Sequence, residues 1–119
     1  MKTHQDIPMS QGEGILIKAK LTDKDTKGPL VLTTAVLKWT LTDPNNDVVQ
    51  VTKETTDIEI VSDGTKEGAE YSEVWVGPLL IEDTETLLGE YRQELSSLDG
   101  TEWVVLMKGT ITIGKSDGL

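Results

Sequence analysis

Apolar side chains recur at every second position in short runs along this chain, and the runs are bounded by Gly, Pro, Asn and Asp. A period of two belongs to extended backbone, where successive side chains point to opposite sides, so the runs read as half-buried strands. Helical periodicity is nearly absent. The first run, about 14 to 21, sets Ile15, Ile17, Ala19 and Leu21 on one side and Lys18 and Lys20 on the other. After a turn-rich stretch over 23–29 and the apolar Leu30 and Leu32, a second run places Ala35, Leu37, Trp39 and Leu41 in one phase. Trp39 is the leading core residue, because a Trp in phase with two leucines serves as a pin between sheets more readily than as a ligand platform.

Residues 43–47, Asp-Pro-Asn-Asn-Asp, have the chemistry of a β-turn and predict a hairpin into the strand 48–51. Ile58 and Ile60 mark a further strand, and the segment from Tyr71 to Val76 another, interrupted by Gly77-Pro78. Residues 82–88 hold the only plausible helical turn, a connector in which Asp83 or Thr84 caps backbone N–H groups. A strand over 89–95 follows. Asp99-Gly100 signals a two-residue hairpin turn, with Trp103 to Met107 as its return strand, and Gly109 is expected to bulge or bend the chain before Thr110 to Ile113.

Seven or eight short strands at this spacing predict an all-β fold of two packed antiparallel sheets, a β-sandwich. The expected organisation is a flexible N-terminal segment over 1–13, the sandwich over 14–114 and a tail over 115–119. Leu88-Gly89-Glu90-Tyr91, at a strand entrance after an inter-sheet connector, has the form of a tyrosine corner. In that device the Tyr91 ring packs on the core while its hydroxyl bonds to upstream backbone.

Cysteine is absent, so hydrophobic packing must hold the fold without disulfides or a thiolate metal site. Acidic residues number 21 against 11 basic ones, and the formal net charge of −10 opposes attraction to phosphate backbones or anionic lipid. Neither nucleic acid nor membrane is an expected partner. Residues 54–102 carry 14 of the acidic side chains with only Lys66 and Arg92 to balance them, which reads as a solubilising face or a docking surface for a basic partner. The N-terminus lacks the apolar stretch of a signal peptide and no later run is long enough to span a bilayer, so synthesis in the cytoplasm is expected.

Catalytic constellations are hard to assemble from these residues. His4 is the only histidine and falls in the expected flexible N-terminal segment, so neither a Ser-His-Asp constellation nor a His-paired nucleophile is expected within one chain. Gly12-Glu13-Gly14 precedes a strand, not the helix that a phosphate-cradling loop requires. A carboxylate pair doing general acid and base work needs a cleft that a small sandwich scarcely offers. Asp23-x-Asp25 and the segment from Asp43 to Asp47 are oxygen-rich enough to weigh for calcium, yet turns favour Asp and Asn without any metal. The expectation is a non-enzymatic chain with no cofactor and no metal.

The segments 74–81 and 103–107 are apolar in both phases, whereas a two-layer sandwich buries one side of each strand. The second side must lie under a loop, under the N-terminal segment, or against another chain. Trp75, Trp103, Val104 and Leu106 are the candidate interface residues. The alternative role for Trp75 or Trp103 is to stack on a sugar ring, as in a carbohydrate- or cell-surface-binding module.

Several stretches also match a known pattern: Leu21-Thr22-Asp23, the loop from Gly28 to Thr33 before Val36-Leu37-Lys38-Trp39, the segment from Asp83 to Glu94, the Asp99-Gly100 hairpin, and Gly109 to Ile113. From about Gly14 to Gly114 the chain resembles small immunoglobulin-like proteins encoded among the tail and structural genes of tailed bacteriophages, similar in style to the N-terminal domains of phage baseplate upper proteins. The resemblance implies an immunoglobulin-like sandwich with Greek-key connections, and a virion component of tail or baseplate, assembled in the bacterial cytoplasm. Such a component acts through contacts with other virion proteins or with further copies of itself.

Overall fold

A computed structural model of the chain describes residues 3–4, 6–12, 14–23 and 25–115. Seven strands from Ile17 onward build two packed sheets: β3 (Ile17–Leu21), β4 (Leu37–Thr42), β5 (Val49–Lys53), β6 (Ile58–Ser62), β7 (Ser72–Val76), β8 (Gly89–Asp99) and β9 (Glu102–Gly114). One sheet runs β3-β7-β6, and the other carries β9-β8-β4-β5 in antiparallel pairing. This order is that of immunoglobulin domains, in which strands B, E and D face C, F and G with a C′ strand appended. The expected fold class is therefore the fold of the protein.

Alternation decides which side of each strand is dry. Ile17, Ala19 and Leu21 of β3, Val74 and Val76 of β7, and Leu37, Trp39 and Leu41 of β4 are all buried between the sheets. Tyr91, Gln93 and Leu95 of β8 and Met107, Ile111 and Ile113 of β9, in the same sheet as β4, close the core against β3 and β7. Trp39 lies at 0% exposure, and its indole N–H donates to the Gln93 Oε1 at 3.1 Å, with Gln93 itself at 0%. A buried indole N–H without an acceptor would cost about 1–3 kcal/mol, so this bond allows the largest side chain of the core to be wholly buried.

The crossing from β7 to β8 runs through a short helix, α1 (Ile81–Thr84). Asp83 Oδ2 accepts from the Leu80 N–H at 2.7 Å and pairs with Lys53 Nζ at 2.9 Å, so one carboxylate caps the helix and anchors the inward-pointing lysine of β5. Thr84 Oγ1 accepts from the Gly12 N–H at 3.1 Å, a bond to the N-terminal segment and not to the helix. The chain then enters β8 through Gly89, whose φ of 104° lies where side chains with a Cβ are strained. The Tyr91 hydroxyl meets the backbone N–H and C=O of Leu88, each at 3.3 Å, the contacts that define a tyrosine corner.

Three expectations need correction. Residues 1–13, read as a flexible segment outside the sandwich, instead supply β1 (Thr3–His4) and β2 (Ile7–Ser10), both parallel to β9 and extending its sheet. Met9 is buried and Ile7 packs on the core, and Pro8 between them is tolerated because an edge strand needs its N–H on one side only. The hairpin turn is Gly100-Thr101, since Asp99 and Glu102 pair across the ladder; only Gly100 has positive φ, the pattern of a type II′ turn. Gly109 sits in regular register opposite Gln93. The bulge falls earlier, where Leu95 pairs with Met107 and Ser96 with Val105, leaving Leu106 as the extra residue. Of the expected tail, 116–119 lie outside the described residues.

Replacing Gln93 with Ala is expected to lower stability by about 2–4 kcal/mol, through an orphaned indole N–H plus a cavity. Tyr91→Phe, which removes only the hydroxyl, should cost about 1 kcal/mol. Urea unfolding followed by Trp fluorescence measures both, and equal losses would show that the Trp39–Gln93 bond carries no special weight.

Candidate functional site

The two longest strands, β8 and β9, form a hairpin that outruns its neighbours. Ser97 pairs with Leu37, the first residue of β4, and the last backbone bond on that side runs from the Leu98 N–H to the Val36 carbonyl. Beyond that point the hairpin is an arm with no β4 beside it. Its pairing fixes what it displays: Ser96 and Val105, and Leu98 and Trp103, lie on the outer side, continuing the row of Lys38. Val36 (44% exposed), Leu98 (37%) and Trp103 (41%) form an outward apolar cluster, and Lys38 Nζ stands 4.1 Å from the centroid of the Trp103 ring. A cation in that position gains on the order of 0.5–1 kcal/mol from the ring and holds it flat on the sheet.

The four candidate interface residues do not share one strip. Trp103 lies on the outer side of the arm, whereas Val104 (46% exposed) points to the opposite side, beyond the reach of the β3-β7-β6 sheet. Leu106, the bulged residue, is partly buried and packs against the buried cluster beside Met107. The extra residue accounts for Leu106 next to the buried Met107, and it leaves Trp103 and Val104 exposed on opposite sides. Trp75 lies on the other sheet altogether, in line with Lys18 of β3 and Glu59 of β6.

Trp75 is half-buried, its indole N–H donates to Glu73, and Lys18 Nζ sits 4.6 Å from its ring centroid. Lys20 covers Tyr71 in the same way at 4.7 Å. A sugar stacking on either ring would have to displace an ammonium group that already occupies its face. The N-terminal segment does not cover the apolar side of β9, since β1 and β2 lie beside that strand in the plane of the sheet.

The acidic loops spend their carboxylates on their own backbone. Asp23 Oδ1 accepts from Asp25 and Thr26, Asp43 Oδ1 from Asn45, and Asp63 Oδ1 from both the backbone and hydroxyl of Thr65. Among the described residues no three His, Cys, Asp or Glu side chains are grouped to hold a metal ion. A shallow depression of about 430 Å³ beside β6 is lined by Leu32, Ile60, Val61, Asp63 and Lys66, a single carboxylate with no second one converging on it.

No family model matches this chain, and no curated protein matches it. Among solved structures, murine CRIg aligns over 94% of this chain and 92% of its own, at 12% identity and a TM-score of 0.34. AggA, the major subunit of aggregative adherence fimbriae type I from Escherichia coli, aligns over 93% of this chain and 89% of its own, at 14% identity and a TM-score of 0.35. Both likenesses concern the course of the chain and carry nothing about role.

The two bonds from Thr65 hold the Asp63 carboxyl below the usual aspartate range, because both favour the charged form. A depressed folded pKa contributes stability that is present at neutral pH and is lost as pH falls through the folded value. Carbon-detected NMR titration should therefore place the Asp63 midpoint below the ordinary aspartate value, and Thr65→Ala should move it up toward that value. An unchanged midpoint in the variant would remove the hydrogen-bond explanation.

Proposed function

We propose that this chain is a non-enzymatic protein-interaction subunit whose working surface is the β8–β9 arm. The observation that carries the reading is the exposed cluster of Leu98 and Trp103 on the β8–β9 hairpin with Val36 just before β4, at the end where the hairpin outruns β4. Burying such a cluster against a partner returns roughly 25 cal/mol per Å² of apolar surface, and a large exposed aromatic beside aliphatic neighbours is the composition of an interface centre. A net charge of −10 keeps free copies soluble and apart while one apolar patch remains available for assembly.

The finer reading is a structural component of a tailed-phage virion, placed in tail or baseplate and assembled in the host cytoplasm. It rests on the sequence resemblance over 14–114. The carbohydrate-binding alternative has less support, because Trp75 has one ring face under Lys18 and its N–H committed to Glu73.

Mass spectrometry of particles purified from cells that carry the gene is expected to find this chain together with tail proteins. The Trp103→Ser variant should fold normally, with a melting temperature within a few degrees of the parent, yet be lost from the particles. Absence of the parent chain from purified particles overturns the virion reading. Retention of Trp103→Ser in them overturns the arm as the working surface.

A further inference from the structure

A two-sheet sandwich has four edges, and three of them here carry recognised protection against pairing with another chain. On β5 the inward-pointing Lys53 is tied to Asp83. On β3 Lys18 and Lys20 alternate along the edge, and on β6 a register shift at Val61 breaks the ladder, with the Leu32 N–H closing on the Asp63 carbonyl beyond it. The fourth edge belongs to β9. There β2 covers 111–114, the Asp6 carboxylate accepts the Thr110 N–H at 2.9 Å, and β1 covers 107–108. Among the described residues nothing pairs with 102–106 on that side, and the run from Trp103 to Leu106 contains no charge and no proline. Its bulge, at Leu106, adjoins β1 and leaves 102–105 in regular register with β8.

The tip next to this edge holds a second anomaly. Asp99 and Glu102 stand directly opposite each other across the ladder, and among the described residues neither joins an ion pair. Like charges in directly opposed positions destabilise a strand pair. A basic group arriving beside them would relieve that repulsion.

We propose that β9 over 102–106 is a strand-addition site, and that its occupant is an extended segment of another protein, apolar at alternate positions and carrying Lys or Arg where it passes Asp99 and Glu102. The proposal rests on the protein-interaction reading above and specifies its mode: backbone hydrogen bonds along the edge supply affinity, and the acidic tip selects the partner. A second copy of this chain fits less well. Two-fold antiparallel pairing about Val104 sets each Glu102 opposite the other copy's Leu106 and runs each tip onto Met107 and Lys108, where β1 already lies.

The test uses the full chain and three synthetic peptides, each three Thr-Val repeats followed by Lys-Lys, Glu-Glu or Ser-Ser. At low salt the Lys peptide should bind roughly five- to tenfold tighter than the Glu peptide, with the gap closing at about 1 M salt, where screening reaches ~3 Å. Amide hydrogen exchange should show new protection confined to 102–106. Val104→Lys, which puts a lysine on an exposed edge position, should abolish binding while leaving the melting temperature nearly unchanged.

Equal binding of the Lys and Glu peptides overturns the partner chemistry, and protection elsewhere, or from no peptide, overturns the site. Concentration-dependent protection of 102–106 without any peptide would make the occupant a second copy and overturn the proposal. If the peptides fail while Trp103→Ser is still lost from particles, strand addition falls and the interaction reading stands. If Trp103→Ser is also retained, both fall.

Discussion

The bond between the Trp39 indole and Gln93 is the constraint on which the rest of the sandwich depends. An indole of that size fills the space between two sheets only if its one polar atom is satisfied there, and Gln93 supplies the acceptor from β8, the neighbouring strand of the same sheet. The position is informative. Antibody domains place the second cysteine of their inter-sheet disulfide two residues after the corner tyrosine, and here Gln93 stands two residues after Tyr91. A chain without cysteine thus fastens its central tryptophan with a hydrogen bond where a covalent bridge stands in that group.

Around that pin the polar contacts form a chain of dependencies. The Tyr91 hydroxyl fixes the entrance of β8, and with it the register that brings Gln93 to Trp39. Asp83 holds α1 and Lys53 together, so the connector between the sheets is fastened to the edge strand β5. Each contact satisfies groups that burial would otherwise leave unpaired, which is why a sandwich of mainly aliphatic residues still specifies one arrangement.

Much of this was legible in the residues, for a physical reason: alternation is a local signal, and it placed β3, β4, β7 and β8 and the burial of Trp39 from spacing alone. The parts that were not legible depend on partners far away in the chain. Ile7-Pro8-Met9 is too short and too interrupted to read as a strand until β9 lies beside it. The extra residue at Leu106 leaves no mark in the sequence other than apolar residues in both phases, a mark that an external interface would leave as well. For the site, Trp103 and Val104 were visible as surplus apolar residues, whereas Leu98 and Val36 were hidden by a strand expected to end at Leu95. Lys38 over Trp103 needed the β4–β8–β9 register before the two could be seen as neighbours.

The parallel pairing of Ile7 with Ile111 joins residues that are made at nearly opposite ends of translation of this stretch. Until residue 114 has emerged from the ribosome, the opening segment has no edge on which to lie, and Gly12 reaches Thr84 only after most of the domain has been synthesised. The opening segment of this stretch is thus among the last parts of it to be placed. Closing so long a loop is slow compared with forming the local hairpins, so the nascent chain passes through a stage with the whole outer edge of β9 open to whatever extended segment is nearby.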